Sequence, residues 1–471
     1  TLRINTAAAA LSPNTAVTVA SGGQLYLNVN GGSYANNMNI AGGLVVDNFG
    51  AIRVSDNTTL SGPITLSADA RIGGFNASPS TISGRITGSY GIEFYRAANI
   101  NSTVATTTLQ NAGAASDYTG NTTVKLVNHL TSTPTNMQHI LKLGANDQIP
   151  DGAGKGNLVL TGADANHLTI FDLNGFSETI NGLANTAAAG AKVQNTNTGA
   201  STLTLGAGNA TGNTFSGVIT DGGAGKTLAI TKTGSGTQTF SGANTYSGDT
   251  TISAGTLLVN NTTGSGTGLG NVTVNSAGAL GGTGTLAGVV TNNGTLAPGA
   301  SIGTLTISSN LVLNAGSTNT FEVDGSTPTN DVVVLGASVT YGGVLKIVPT
   351  GTFTNGQSFT LFSGAGATNV SNFASIAGSP GGGNAFSFTN GVLTVVSAGP
   401  SGPATLTNSV SGGVLTLSWP AGQGWRLQQQ TNALNVGLST NWVFVTDSSV
   451  SSTNITVNPA NPTVFYRLVY P

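Results

Sequence analysis

The chain has no cysteine, which removes disulfides, thiol nucleophiles and cysteine-held metals from consideration. Charge is almost as scarce. Sixteen Asp and Glu and fourteen Lys and Arg are spread over 471 residues, 6 % in all, where an ordinary domain carries about a quarter. The formal net charge is −2. No basic patch is present to neutralise phosphates, so no nucleic-acid partner is expected. No apolar run reaches the roughly 18 residues of a membrane helix. No signal-peptide pattern opens the sequence, and Thr1 begins directly in strand-like residues, which reads as a processed or partial chain. Prolines number 15 and no period-three glycine pattern accompanies them, so the chain is not collagen. Windows with a 3.6-residue apolar period and caps are missing, so long helices are not expected.

What the chain has is glycine, 69 of them, with Thr, Ser, Asn and a 38 % hydrophobic share spread evenly. A disordered chain would be poorer in Val, Ile and Leu and richer in charge. Strand patterns recur throughout: "TLTLGAG" (202–208), "KTLAITKTG" (226–234), "TTISAGTLLV" (250–259), "GNVTVNSAGAL" (270–280) and "GTLTISSNLVLNAG" (303–316). Each alternates β-branched or Leu residues with polar ones and closes on Gly, Asn or Ser. The pieces also echo one another. "DYTGNTTVKLVN" (117–128) resembles "NTYSGDTTISAGTLLVN" (244–260), and Gly-Thr-Leu opens strands at Gly255, Gly284, Gly294 and Gly303. A repeated strand–turn unit points to a β-solenoid in which each rung buries its face on its neighbours. At roughly 20–25 residues per rung and about 4.8 Å per rung, some 16–20 rungs would make a rod of about 80–95 Å. Asn stacked on Asn would satisfy buried amides, and the stack would disfavour charge repeated at every rung. With so few ionisable groups, stability should change little between about pH 4 and 9.

The pattern changes at "SAGPSGPATL" (397–406). Residues 1–398 are assigned to the β-solenoid, 399–403 to a Gly/Pro/Ser linker, and 404–471 to a small β-sandwich of immunoglobulin-like or fibronectin-like kind. All three tryptophans, Trp419, Trp425 and Trp442, fall in this last part. Trp425, Arg426, Trp442 and Tyr466 would suit a sugar-binding platform, although sandwich-core aromatics are the plainer reading. The last lysine is Lys346, so no lysine–asparagine crosslink forms within 404–471.

The stretch "TGSGTQTFSGANTYSGDTTISAGTLLV" (233–259) resembles the autotransporter-associated β-strand repeat, the passenger-associated repeat of large secreted Gram-negative surface proteins. "TLAPGASIGTLTI" (295–307), "NDVVVLGASVTYGGVLKIV" (330–348) and "NGQSFTLFSG" (355–364) look like the passenger segments that follow such repeats. The resemblance covers roughly 200–396; residues 1–200 match in style and through 117–128. It implies a right-handed parallel β-helix displayed outside the cell. The family's outer-membrane barrel does not follow here. The segments "LSWP", "GWRLQ", "TNW" and "FYRLVYP" look instead like a terminal module of exported repeat proteins from environmental bacteria, an export, sorting or docking unit.

Candidates for chemistry are few. In "LGANDQIPDGAGKG" (143–156), Asp147, Asp151 and Lys155 are placed to bind a cation or sugar, against a solvated loop between rungs. In "GADANHLTIFDLNG" (162–175), Asp164 and His167 could pair as base and orienter with Asp172 nearby. Asp172 and His167 differ in strand parity and should face opposite sides, and the plainer reading is a turn-capping Asp164 beside an exposed histidine. His129 and His139 lack further ligands in sequence reach and read as structural. Glycine-rich "GSGTGLG" (264–270) has neither the lysine nor the following helix of a phosphate loop. No catalytic residue, metal or cofactor is assigned.

The expected function is structural: a subunit of an extracellular fibre, sheath or matrix on a bacterial surface, its partner being further copies of itself. Assembly would run head-to-tail through open solenoid ends, with Leu2 and Ile4 in an uncapped first strand, and through the C-terminal module with Trp425, Arg426, Trp442 and Tyr466. The alternative is a monomeric adhesin for polysaccharide or cell surfaces. It would show exposed aromatics among Tyr26, Tyr34, Phe49, Phe75, Tyr90, Phe94 and Tyr95. A carbohydrate-active enzyme is the third reading, and it would need clustered carboxylates that the sequence does not display.

Overall fold

The structure, a computed structural model, describes the whole chain except residues 7–10, 13–14, 43–48, 75–79, 98–102, 112, 128–135, 365–371, 399–403, 422–423, 434, 447–449, 461–462 and 471. His129, Phe75 and the linker 399–403 therefore lie outside the described residues. The chain divides into two compact units. One comprises Thr1–Phe353, Gln357–Ser379 and Phe386–Thr394; the other comprises Thr354–Gly356, Pro380–Ala385 and Val395–Pro471.

The first unit is all-β and built on parallel pairing. A 12-stranded sheet runs from Leu2–Ile4 to Leu183–Asn185 beside an 8-stranded sheet. A 15-stranded and a 4-stranded sheet carry the stack onward from Glu178–Ile180. The alternation seen in sequence sets which side chains point inward. Leu25, Ile52, Ile72, Phe94, Val124 and Leu160 meet in one continuous register, and all six are buried. Leu203, Ile230, Thr250, Val272, Val290 and Leu311 form the matching column further along. Burying one such apolar side chain contributes about 1.5–3 kcal/mol, so the solenoid's core is a set of columns along its axis. The one helical element among the described residues is a 3₁₀ turn at Ala188–Gly190.

Rung length varies more than the expected 20–25 residues. Val272 pairs with Val290, 18 positions on, whereas Val124 pairs with Leu160, 36 positions on. Part of the surplus is the strandless stretch 144–157 between Met137–Leu143 and Leu158–Thr161, where pairing imposes no length. The two echoing segments are one structural unit. Tyr118 and Tyr246 are buried, and each hydroxyl is hydrogen-bonded to the threonine four residues on, Thr122 at 2.5 Å and Thr250 at 2.7 Å. Asn121 and Asp249 occupy the same place in both copies, each accepting a backbone N–H from the next rung, Asn157 and Asn271, at 2.9 Å. Asparagine ladders occur as expected: Asn319 accepts from Asn292 at 3.1 Å, Asn293 from Asn314 at 2.7 Å and Asn30 from Asn57 at 3.0 Å.

Toward residue 394 a part of the stack's end is covered by antiparallel chain. Ser358–Thr360 pairs antiparallel with residues 392–394, and the Gly391 carbonyl accepts the N–H groups of Leu361 and Phe362. Rings of Phe321, Tyr341, Phe362, Phe373 and Phe388 pack 5.0 to 6.1 Å apart beneath this cover. Ser375–Ala377, the last strand of the 15-stranded sheet, pairs only with Val344–Thr350 among the described residues.

In the second unit, Thr407–Ser411, Val414–Ser418 and Ser452–Thr456 form one antiparallel sheet. Val443–Phe444, Arg426–Thr431 and Val464–Val469 form another. Leu417, Trp419 and Leu427 make a buried cluster with Trp425, Tyr466 and Leu468 packed against it.

Candidate functional site

Leu2 is 61 % exposed and Ile4 is buried; their strand pairs with Leu25–Leu27. The four aromatic-module residues do not form one face together. Trp425 and Tyr466 pack on the central cluster, and Trp425 meets Tyr470 edge-on at 5.7 Å. The Arg426 guanidinium lies 3.7 Å from the centre of the Phe444 ring, and that of Arg467 lies 4.2 Å from the centre of a Trp442 ring. Each is a cation–π contact. Around them the surface is unusually apolar. Of the fourteen exposed large hydrophobic side chains among the described residues, eight lie beyond residue 404: Val410, Val436, Leu438, Val443, Phe444, Val450, Val457 and Tyr470. Exposed apolar side chains are thus more frequent beyond residue 404 than before it among the described residues. In the first unit, Tyr34, Phe49, Phe94 and Tyr95 are core residues, while Tyr90 is exposed.

The polar candidates fall into separate places. Asp164 accepts the Asn166 backbone N–H at 2.8 Å, the turn cap expected of it. It also meets His167 Nδ1 at 2.9 Å. His167 is buried rather than exposed, because its strand position points inward, and its Nε2 has no partner in the structure. Asp172 is engaged elsewhere, with Thr196 and Asn174. Lys155 is paired with Asp117, which also meets Arg85 at 3.7 Å. Asp147 stands beside Asp151, whose carboxyl is raised by burial and by that neighbouring charge. His139 is buried, with Nδ1 3.1 Å from the Lys125 carbonyl and Nε2 3.3 Å from the Thr107 hydroxyl. Among the described residues no group of three or more His, Asp or Glu is placed to hold a metal ion.

The sequence reading missed a set of buried ionisable groups. Burial pushes the Glu178 carboxyl up to about 8, against the backbone N–H groups of Gln148 and Ile149 that hold it at 2.9 and 3.0 Å. Burial likewise raises Asp331 to about 6 and lowers His139 to about 4 and Lys232 to about 8. The Lys232 ammonium donates to the carbonyls of Thr233, Gly234 and Ala254. These groups overturn the expectation of a stability indifferent to pH. Strand parity would have placed Lys232 inward, two residues beyond buried Ile230.

Comparison with known families finds the passenger-associated-transport-repeat at residues 230–259. This span contains the Tyr246–Thr250 unit and the strand Thr250–Val259. The repeat marks a secreted or surface passenger-type β-repeat protein. No curated protein matches the chain. Among the described residues no helix is long and apolar enough to cross a membrane, which says nothing of strands that cross as barrels.

Proposed function

We propose, from a chain that carries a passenger-associated transport repeat, that this is a non-enzymatic structural protein of the bacterial exterior whose copies join into a fibre, sheath or matrix. In this reading the parallel sheets wind as a right-handed β-helix, a load-resisting spacer. The two small antiparallel sheets form a sandwich of immunoglobulin or fibronectin kind that docks onto another copy. The observation that carries it is the concentration of exposed apolar side chains beyond residue 404. A charge-poor surface supports it, since like-charge repulsion between copies is weak.

The test is electron microscopy and light scattering on the purified full chain at neutral pH, beside a Val443→Asp, Phe444→Asp variant. Both side chains are exposed, so the variant should fold. Filaments or higher oligomers from the parent, with single particles from the variant, are the expected result. A parent that stays monomeric at high concentration, or a variant that assembles equally well, would refute this reading.

A further inference from the structure

On the outer face of the 8-stranded sheet, one register column runs Thr108, Lys142, Asp172, Gln194. Together with Thr106 and Ile140 it floors an open groove, and Phe176 stands in the wall. Three rung spacings of about 4.8 Å make the column roughly 14 Å long. We propose that this groove binds a neutral oligosaccharide, a function beyond the structural role above and independent of it.

The wall is built in advance. Asp172 accepts the backbone N–H groups of Asn174 and Thr196, both at 3.0 Å, and the Thr196 hydroxyl at 2.5 Å. Asn174 adopts a left-handed φ of 50° and donates to the Leu143 carbonyl at 2.9 Å. The Phe176 N–H is held by the Leu173 carbonyl at 2.9 Å. These bonds fix the turn that carries the half-buried Phe176 ring, so little ordering remains to be done on binding.

The floor has unused hydrogen-bonding capacity. Gln194 is 7 % exposed, yet its side-chain amide has no hydrogen-bond partner among the described residues. Its amide lines the groove, where a ligand hydroxyl can both donate to it and accept from it. Lys142 makes no ion pair among the described residues, and Asp172 holds the matching register position in the next rung. The groove thus offers an amide and hydroxyls for a polyol and the Phe176 side chain for the apolar side of a sugar. An extended peptide fits less well. The strands flooring the groove already spend their main-chain groups on parallel neighbours, so no edge is free to pair with it.

Isothermal titration calorimetry of the full chain with cellohexaose, xylohexaose and mannohexaose tests the inference. At least one should bind. Phe176→Ala should weaken that binding about tenfold through loss of the ring platform. Gln194→Met keeps the side-chain volume and removes no protein hydrogen bond, so it should fold as the parent does and weaken binding about fivefold. Absence of heat with all three sugars at millimolar concentration overturns the inference. So does binding that both variants, with parental circular dichroism, leave unchanged.

Discussion

Glu178 shows what one buried residue does in a charge-poor protein. An exposed glutamate releases its proton near 4.5, whereas in the folded chain Glu178 holds it to about 8. Between those values the folded state binds more protons than the unfolded state. This contribution to stability is full below about pH 4.5 and is lost as pH rises through about 8. Asp331 acts in the same sense between 3.8 and about 6. His139 acts in the opposite sense, its contribution present above 6.5 and lost as pH falls to about 4. Glu178 is thus the main group in the upper window, with Lys232 and His139 acting the other way, and urea unfolding should show the parent about 1 kcal/mol less stable at pH 8.0 than at pH 6.5. Glu178→Gln should be less stable than the parent at pH 6.5, because one N–H loses its acceptor, and should lose most of the pH slope. A parent with equal midpoints at the two values would refute the assignment.

At the scale of the element, the repeat is held by what stacks at its corners as well as by its apolar columns. A Cβ on Gly270 would lie 2.1 Å from the Gly248 carbonyl oxygen, and one on Gly288 would lie 2.0 Å from the Gly270 carbonyl oxygen. Close approach of successive rungs, rather than an unusual φ, requires glycine here. Gly270→Ala should therefore push rungs apart and cost about 2–3 kcal/mol. Gly316→Ala is the control, since its nearest neighbour, the Asn293 carbonyl oxygen, is 4.0 Å away, and it should change stability by less than about 0.5 kcal/mol. Thermal midpoints of the two variants check this, and equal midpoints would argue against rung contact at that corner. The repeat was legible from "YTGNT" and "YSGDT" because local spacing alone places Tyr against Thr. The long rungs between Val124 and Leu160 were not, since their extra residues sit in turns that no period governs.

For the whole molecule, the division into two compact units predicts two unfolding events. The three tryptophans all belong to the second unit, so fluorescence reports that unit alone, while far-ultraviolet circular dichroism is dominated by the larger first unit. The second unit has one small buried cluster against the first unit's long columns. Fluorescence should therefore change at lower denaturant than circular dichroism. Coincident transitions would mean that the units unfold as one.

The sequence by itself determined the all-β character, the solenoid repeat and the change of composition near residue 400. Each of these follows from alternation, turn residues and composition, which are local properties. It also placed Asp164 as a turn cap and kept Asp172 apart from His167, because strand parity needs only counting. Tertiary structure decided the rest. It buried His167 and Glu178, brought the Gly391 carbonyl onto the N–H groups of Leu361 and Phe362, and set Gln194 beside Lys142 and Asp172 in one groove. Those outcomes depend on which rungs become neighbours, and rung length is set by turns whose size the strand pattern does not encode.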